Sequence, residues 1–247
     1  MNESLSNAGL ATLPAVFASV VAARSTHPAI VMQSGALTYA ELEQRSAQLA
    51  RALLASGAGK GTRIALLAPD GIFWVTSFLA SLRIGALLTV VSTLSTPAEL
   101  AHILRHSDIQ ILLGARRFLR HDYAETLLAA LPGLQDCAAG ELRVPAAPCL
   151  RSIWLDDAAG VDWVGSVAQL LARADLPGAP DAALLAAVER EIAPTDDAVI
   201  VYTSGSTSQP KAVVHMQRTL AQHPPRVAEL FLLKRDDRMM PLLPAFW

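Results

Sequence analysis

"RIALLAPDGIFWVTSFLASLRIGALLTVVS" runs from Arg63 to Ser92 and decides the fold class. Its two ends, "RIALLAP" and "ALLTVVS", are continuous apolar runs too short to be helices. Set off by Pro69, Gly71 and Gly85, they read as buried strands. Between them "GIFWVTSFLASLRIG" reads as a helix that stops at Gly85. A second helix follows from "TPAE", Thr96 to Glu99, where the threonine hydroxyl caps the helix, the glutamate completes the box and Pro97 fixes a first-turn φ. "DIQILLG" then supplies a third strand. Strand, helix, strand, helix, strand with unbroken apolar strands is the pattern of a mostly parallel sheet covered by helices on both faces, and the fold class is α/β.

Working outward, "TYAE" at Thr38 to Glu41 writes the same helix start, with Leu42, Leu49 and Leu53 on one face and Gly57 as a stop. The apolar "LATLPAVFASVVAA" is preceded by Glu3 and by no Lys or Arg, and Pro14 interrupts it, so it reads as an amphipathic or core helix and not as a signal peptide. From about Leu131 to Pro180 loops surround a strand at "SIWLD" and a helix at "GSVAQLLARA". "APTDD" turns into the strand "AVIVY", "AVVHM" is a further strand, and Gln217 to Leu233 a helix with "HPP" near its start. No internal repeat is visible. The organisation expected is an N-terminal segment over 1–60 and an α/β lobe over 61–247.

Of the 247 residues 52% are hydrophobic and 17% charged, enough to bury roughly 70 to 75% of the unfolded surface. Twenty basic against 22 acidic side chains create no field to hold nucleic acid, which leaves a small molecule as the expected partner. The longest apolar stretch is broken by Arg83 and Gly85, so no membrane span is expected. Cys137 and Cys149 have neither metal-ligand nor redox spacing and read as ordinary thiols of a cytoplasmic protein.

The chemistry concentrates in "YTSGSTSQPKAVVH", Tyr202 to His215. A strand that feeds into Thr, Ser, Gly, Ser, Thr, Ser presents free backbone N–H groups and hydroxyls in a concavity suited to anions, and Lys211 is a mobile cation for phosphate. The P-loop pattern fails here, because Pro210 stands where its second glycine belongs, Ala212 where its Mg-binding hydroxyl belongs, and a strand follows where it needs a helix. "SQPK" also satisfies S-x-x-K, but that pattern places its serine and lysine on a helical turn and β-branched residues follow here.

The whole string resembles the phosphate-binding signature of the adenylate-forming superfamily, [YF]TSG[ST]TGxPKGVxH. Tyr202, Thr203, Ser204, Gly205, Ser206, Thr207, Pro210, Lys211, Val213 and His215 match it; Ser208 and Ala212 depart from its glycines. "LTYAELEQRSAQLARALLASGAGKGTRIALLAPD" and "STLSTPAELAHILRHSDIQILL" are similar to the acyl-CoA synthetase versions of the preceding regions, and "MPLLPAFW" to the start of the motif that lines the acyl pocket. The resemblance implies formation of an acyl-adenylate from a carboxylic acid and Mg-ATP, with release of pyrophosphate and transfer of the acyl group to coenzyme A. It assigns Thr203, Ser204, Ser206, Thr207 and Lys211 to the β- and γ-phosphates, Gly205 to close approach, and Phe246 and Trp247 to the acyl pocket. ATP, Mg2+ and coenzyme A are thus expected, and no metal ligands are assigned to the chain itself.

The superfamily places its adenine pocket, magnesium-binding glutamate, ribose-binding aspartate and adenylation lysine beyond these motifs. The chain therefore reads as an N-terminal fragment that lacks the C-terminal half and does not turn over alone. Two rival readings are a truncated, non-catalytic paralogue that binds a nucleotide or a protein, and a piece of a peptide-synthetase adenylation domain. The latter usually carries an acidic, proline-rich segment where "STLSTPAELAHIL" stands. Among the remaining candidates, His102 and His106 have no third ligand evident and read as a solvated helix face beside Glu99. His215 reads as a structural residue of a buried strand, and Phe73, Trp74 and Phe78 as core.

Overall fold

The computed structural model describes residues 12–33, 35–203, 210–234, 236–240 and 244. Its first elements are α1 (Leu13–Arg24), a hairpin of β1 (Pro28–Met32) and β2 (Gly35–Thr38), and α2 (Tyr39–Ala55). The sequence pattern then appears as β3 (Arg63–Leu67), α3 (Ile72–Arg83), β4 (Leu87–Val90), α4 (Pro97–His106) and β5 (Ile111–Gly114). A two-residue hairpin, β6 (Arg117–Phe118) with β7 (His121–Asp122), leads into α5 (Tyr123–Ala130). The remainder is β8 (Ser152–Leu155), β9 (Gly165–Ser166), α6 (Val167–Ala172), α7 (Ala182–Arg190), β10 (Asp197–Thr203), β11 (Lys211–Met216) and α8 (Gln217–Leu230).

Seven strands form the main sheet in the order β11-β10-β4-β3-β5-β8-β9. All neighbours are parallel except β10 and β11, which pair antiparallel. The pleat of β3 shows how the sheet is covered. Ile64 and Leu66 belong to one core with Leu53 of α2, Trp74 and Leu82 of α3, Leu170 of α6 and Leu185 of α7. Ala65 and Leu67 belong to the other, with Ile103 and Leu104 of α4 and Leu127 of α5. Helices thus cover both faces, as the sequence leads one to expect, which is why β3 reads as an unbroken apolar run.

Both expected capping boxes form: Thr38 Oγ1 accepts from the Glu41 N–H at 3.2 Å, and Thr96 Oγ1 from that of Glu99 at 3.3 Å. After α2 and α3 the chain turns through Gly57 and Gly85 at φ +83° and +68°, the left-handed region that ends helices cheaply at glycine. Arg83 at the end of α3 is buried and ties three helices together, pairing with Glu43 at 3.0 Å and with Glu189, and donating to Ser46 Oγ at 2.9 Å. The N–H of Leu13 donates to the fully buried Gln217 Oε1 at 3.2 Å, which fastens α1 to the start of α8.

Two expectations need correction. "AVVHM" is no buried strand: β11 is the outermost described strand of its sheet edge, and Val213 and Val214 are 41% and 49% exposed. The two prolines of "HPP" lie well inside α8 and not near its start. The sequence reading also passed over α7, which starts on an Asp181 cap at 2.8 Å and buries Leu185.

Candidate functional site

Parallel strands point their carboxyl ends to one edge of the sheet, and in open α/β sheets ligands bind beyond that edge. Here β4 and β10 end side by side, with Val90 level with Val201. The chain leaves β4 through a turn into α4, whereas it leaves β10 into the serine-rich stretch and returns as β11. Between these exits lies a cavity of about 360 Å³, lined by Val90, Ser92, Leu94, Ile103, Tyr202 and Thr203 among others.

The β4–α4 wall is fixed by short-range bonds. Ser92 Oγ accepts from the Leu94 N–H at 3.1 Å, the Ser95 N–H donates to the Ser92 carbonyl at 3.1 Å, and the buried Tyr123 hydroxyl donates to the Thr93 carbonyl at 3.0 Å. The opposite wall is the β10–β11 hairpin, where Tyr202 faces Ala212 and Thr203 faces Lys211. Thr203 Oγ1 lies 3.5 Å from the Lys211 carbonyl. Thr203 and Lys211 are both exposed, and Lys211 makes no ion pair among the described residues.

Of the sequence-assigned site residues the structure therefore brings Thr203 and Lys211 together at the foot of one hairpin. Ser204, Gly205, Ser206 and Thr207, like Phe246 and Trp247, lie outside the described residues. His215 sits opposite Val199, further down the hairpin and away from Thr203. Among the described residues no group of three or more His, Cys, Asp or Glu side chains could hold a metal ion, and no helix is long and apolar enough to cross a membrane.

Sequence reasoning missed what anchors Tyr202. Its hydroxyl is 2.8 Å from the buried Ser107 Oγ and 2.7 Å from His106 Nδ1, and His102 stacks on His106 with its edge toward the phenol. Burial pushes the Tyr202 phenol above its ordinary value, against the opposing effects of the Ser107 hydrogen bond and the Arg63 charge. The helix spacing of the two histidines is legible in sequence, but their tyrosine stands 96 residues from His106, and nothing local announces it.

Comparison with known proteins matches residues 17–247 to the family model described as AMP-binding enzyme. An acyl-CoA ligase, SID4, of Ajellomyces capsulatus is 32% identical over 178 residues, 71% of this chain and 28% of that protein. A 3-hydroxybenzoate–CoA/4-hydroxybenzoate–CoA ligase of Thauera aromatica is 29% identical over 211 residues, 85% of this chain and 35% of its own. The chain thus spans about a third of the length of these relatives. Among solved structures, the N-terminal domain of FACL13 from Mycobacterium tuberculosis superposes with a TM-score of 0.67 at 21% identity, covering 95% of this chain and 51% of that one.

Proposed function

The chain belongs to the AMP-binding enzyme family, and from that premise we propose that it is the N-terminal part of an ATP-dependent carboxylate–CoA ligase whose hairpin 202–215 cradles a triphosphate. In this reading the segment 1–60 and the lobe 61–247 carry the phosphate end of the site, and the C-terminal half supplies the rest. The observation that carries the reading is Lys211: an exposed cation without a carboxylate partner among the described residues, directly across the strand pair from Thr203, at the carboxyl edge of a parallel sheet.

The chain's own contribution is electrostatic. Thr203 with Ser204, Ser206 and Thr207 offers hydroxyl and backbone donors, Lys211 offers positive charge, and Gly205 lets the backbone approach the phosphates. Donors fixed before the reaction stabilise the charge that accumulates on departing pyrophosphate. Mg2+ would arrive with the triphosphate, and in this reading the magnesium-binding glutamate that the resemblance implies belongs to the C-terminal half. Coenzyme A and the carboxylic acid are co-substrates of the whole ligase, with Phe246 and Trp247 assigned to the acyl pocket. A cytoplasmic location belongs to the same proposal. The relatives that bear ligase names favour this reading over a peptide-synthetase fragment or a non-catalytic paralogue.

The test is carboxylate-dependent ATP–pyrophosphate exchange by the protein encoded when the reading frame is followed past Trp247. Exchange should appear with some acid of a panel, and Lys211→Ala should lower it by on the order of 10²-fold with the fold intact. An exchange rate unchanged by Lys211→Ala would remove the phosphate role.

A further inference from the structure

Helix α4 carries two histidines that the proposed ligase chemistry does not use. His102 and His106 are four residues apart, one turn along the same face. Their rings are stacked with centroids 5.1 Å apart and planes inclined by 25°. The helix that presents them is held by its Thr96–Glu99 box at one end and by Ser107 at the other.

His106 is also oriented. Its Nδ1 lies 2.7 Å from the Tyr202 hydroxyl, which in turn lies 2.8 Å from Ser107 Oγ. With the Nδ1 proton donated to the phenol oxygen and the phenol proton donated to Ser107, Nε2 keeps a free lone pair directed away from that bond. This is how a partner behind an imidazole sets its tautomer and raises its strength as a ligand. Among the described residues His102 makes ring contacts only, so both of its nitrogens remain available.

The neighbouring charges have partners of their own, and the Arg63 guanidinium, which donates to the Ser107 carbonyl at 3.1 Å, also acts on Tyr202. Glu99 Oε2 is taken up by the Thr96 cap, the Arg105 guanidinium donates to the Pro145 carbonyl at 3.2 Å, and Asp108 lies 3.9 Å from Arg63.

We propose that His102 and His106 chelate one divalent cation of the borderline class, Zn2+, Cu2+ or Ni2+, with water in its remaining positions. Paired imidazoles suit these ions, whereas hard Mg2+ demands oxygen ligands and would not compete. Chelation asks for side-chain rotation of His102 on a helix that is already formed. Because His106 is the partner of Tyr202, an occupied pair would add a tie between α4 and the end of β10.

The test is calorimetric titration of the untagged chain, or of a longer protein that contains it, with zinc chloride and separately with nickel chloride. One cation per chain is expected, bound at least tenfold more weakly by His102→Ala and by His106→Ala, and a few-fold more weakly by Tyr202→Phe. His215→Ala, away from the pair, should leave the isotherm unchanged. His106 is exposed and His102 half-buried, and circular dichroism of both variants should match the parent. Absence of a 1:1 complex, or a complex that survives both histidine variants as thiol ligation by Cys137 or Cys149 would, overturns the proposal.

Discussion

Strands β3 and β11 are both rich in aliphatic side chains, yet they live in different solvents. From Ile64 to Leu67 every side chain of β3 is essentially inaccessible, whereas Val213 and Val214 of β11 are about half exposed. The cause is position: β3 has a strand on each side and helices above and below, while β11 has only β10 beside it among the described residues. Hydrophobicity by itself therefore does not predict burial, and the two strands separate scaffold from site. The interior holds the carboxyl edge in place, and the hairpin beside it leaves Thr203 and Lys211 exposed.

On that contrast, substitutions in the interior should cost several times more than equivalent ones at the rim. A large effect is expected at Arg83. Arg83→Ala takes the shared cation from Glu189 and Glu43 at the junction of α2, α3 and α7; the two carboxylates keep some contact with water, and loss of the buried guanidinium with its bonds should cost about 3 kcal/mol. Urea unfolding should show it, and a midpoint equal to the parent's would mean that the three helices are held by apolar packing alone.

Next comes the direct comparison of strands. Leu66→Ala, at a fully buried position, should cost about 2 to 5 kcal/mol, and Val213→Ala well under about 1 kcal/mol. Equal losses from the two would break the distinction.

A third measurement uses acid. The Arg116 side chain bonded to Asp122, with further bonds from Arg117 and the Ala124 N–H against the cost of burial, lowers the Asp122 carboxyl to about 2. A carboxyl depressed in the folded state contributes stability that is present above its unfolded value near 4. That contribution is lost as the pH falls from about 4 toward 2, and amounts to about 2 kcal/mol. Asp122→Asn should remove that part of the acid dependence.

Tyr123→Phe should have a small effect, well below that of Leu66→Ala. It deletes the bond to the Thr93 carbonyl at about 1 kcal/mol, but it loosens the β4–α4 wall of the cavity. In the longer protein its effect on substrate KM should therefore outrun its effect on melting temperature.

How much of this was legible in the sequence follows from where each interaction acts. The strands β3, β4 and β5 and the boxes at Thr38 and Thr96 could be read because their causes are local: apolar runs, a hydroxyl, and a glutamate three residues on. The β1–β2 hairpin and α7 escaped because they are short and bury few side chains, α7 only Leu185, and α5 because it is only eight residues long. The departure of β11 from a buried strand was invisible for another reason, since burial depends on which neighbours a strand acquires. The site divides in the same way. Thr203 and Lys211 are close in sequence and were found together, whereas the Ser107 and His106 bonds to Tyr202 join residues from distant parts of the chain.

The pairing of β10 has a consequence for the order of assembly. On one side it closes against β11 through a short hairpin, a local event on the microsecond scale. On the other side Val201 must find Val90 across everything from α4 to α7, and such long-range parallel contacts form slowly because loop entropy is lost before they contribute. As the chain is synthesised, β4 therefore waits as an uncovered strand until β10 emerges. The proposed anion cradle is then the last part of the sheet to be fastened, and a slow ribosome or a weak β10 would be felt first as aggregation at β4 and only afterwards as lost chemistry.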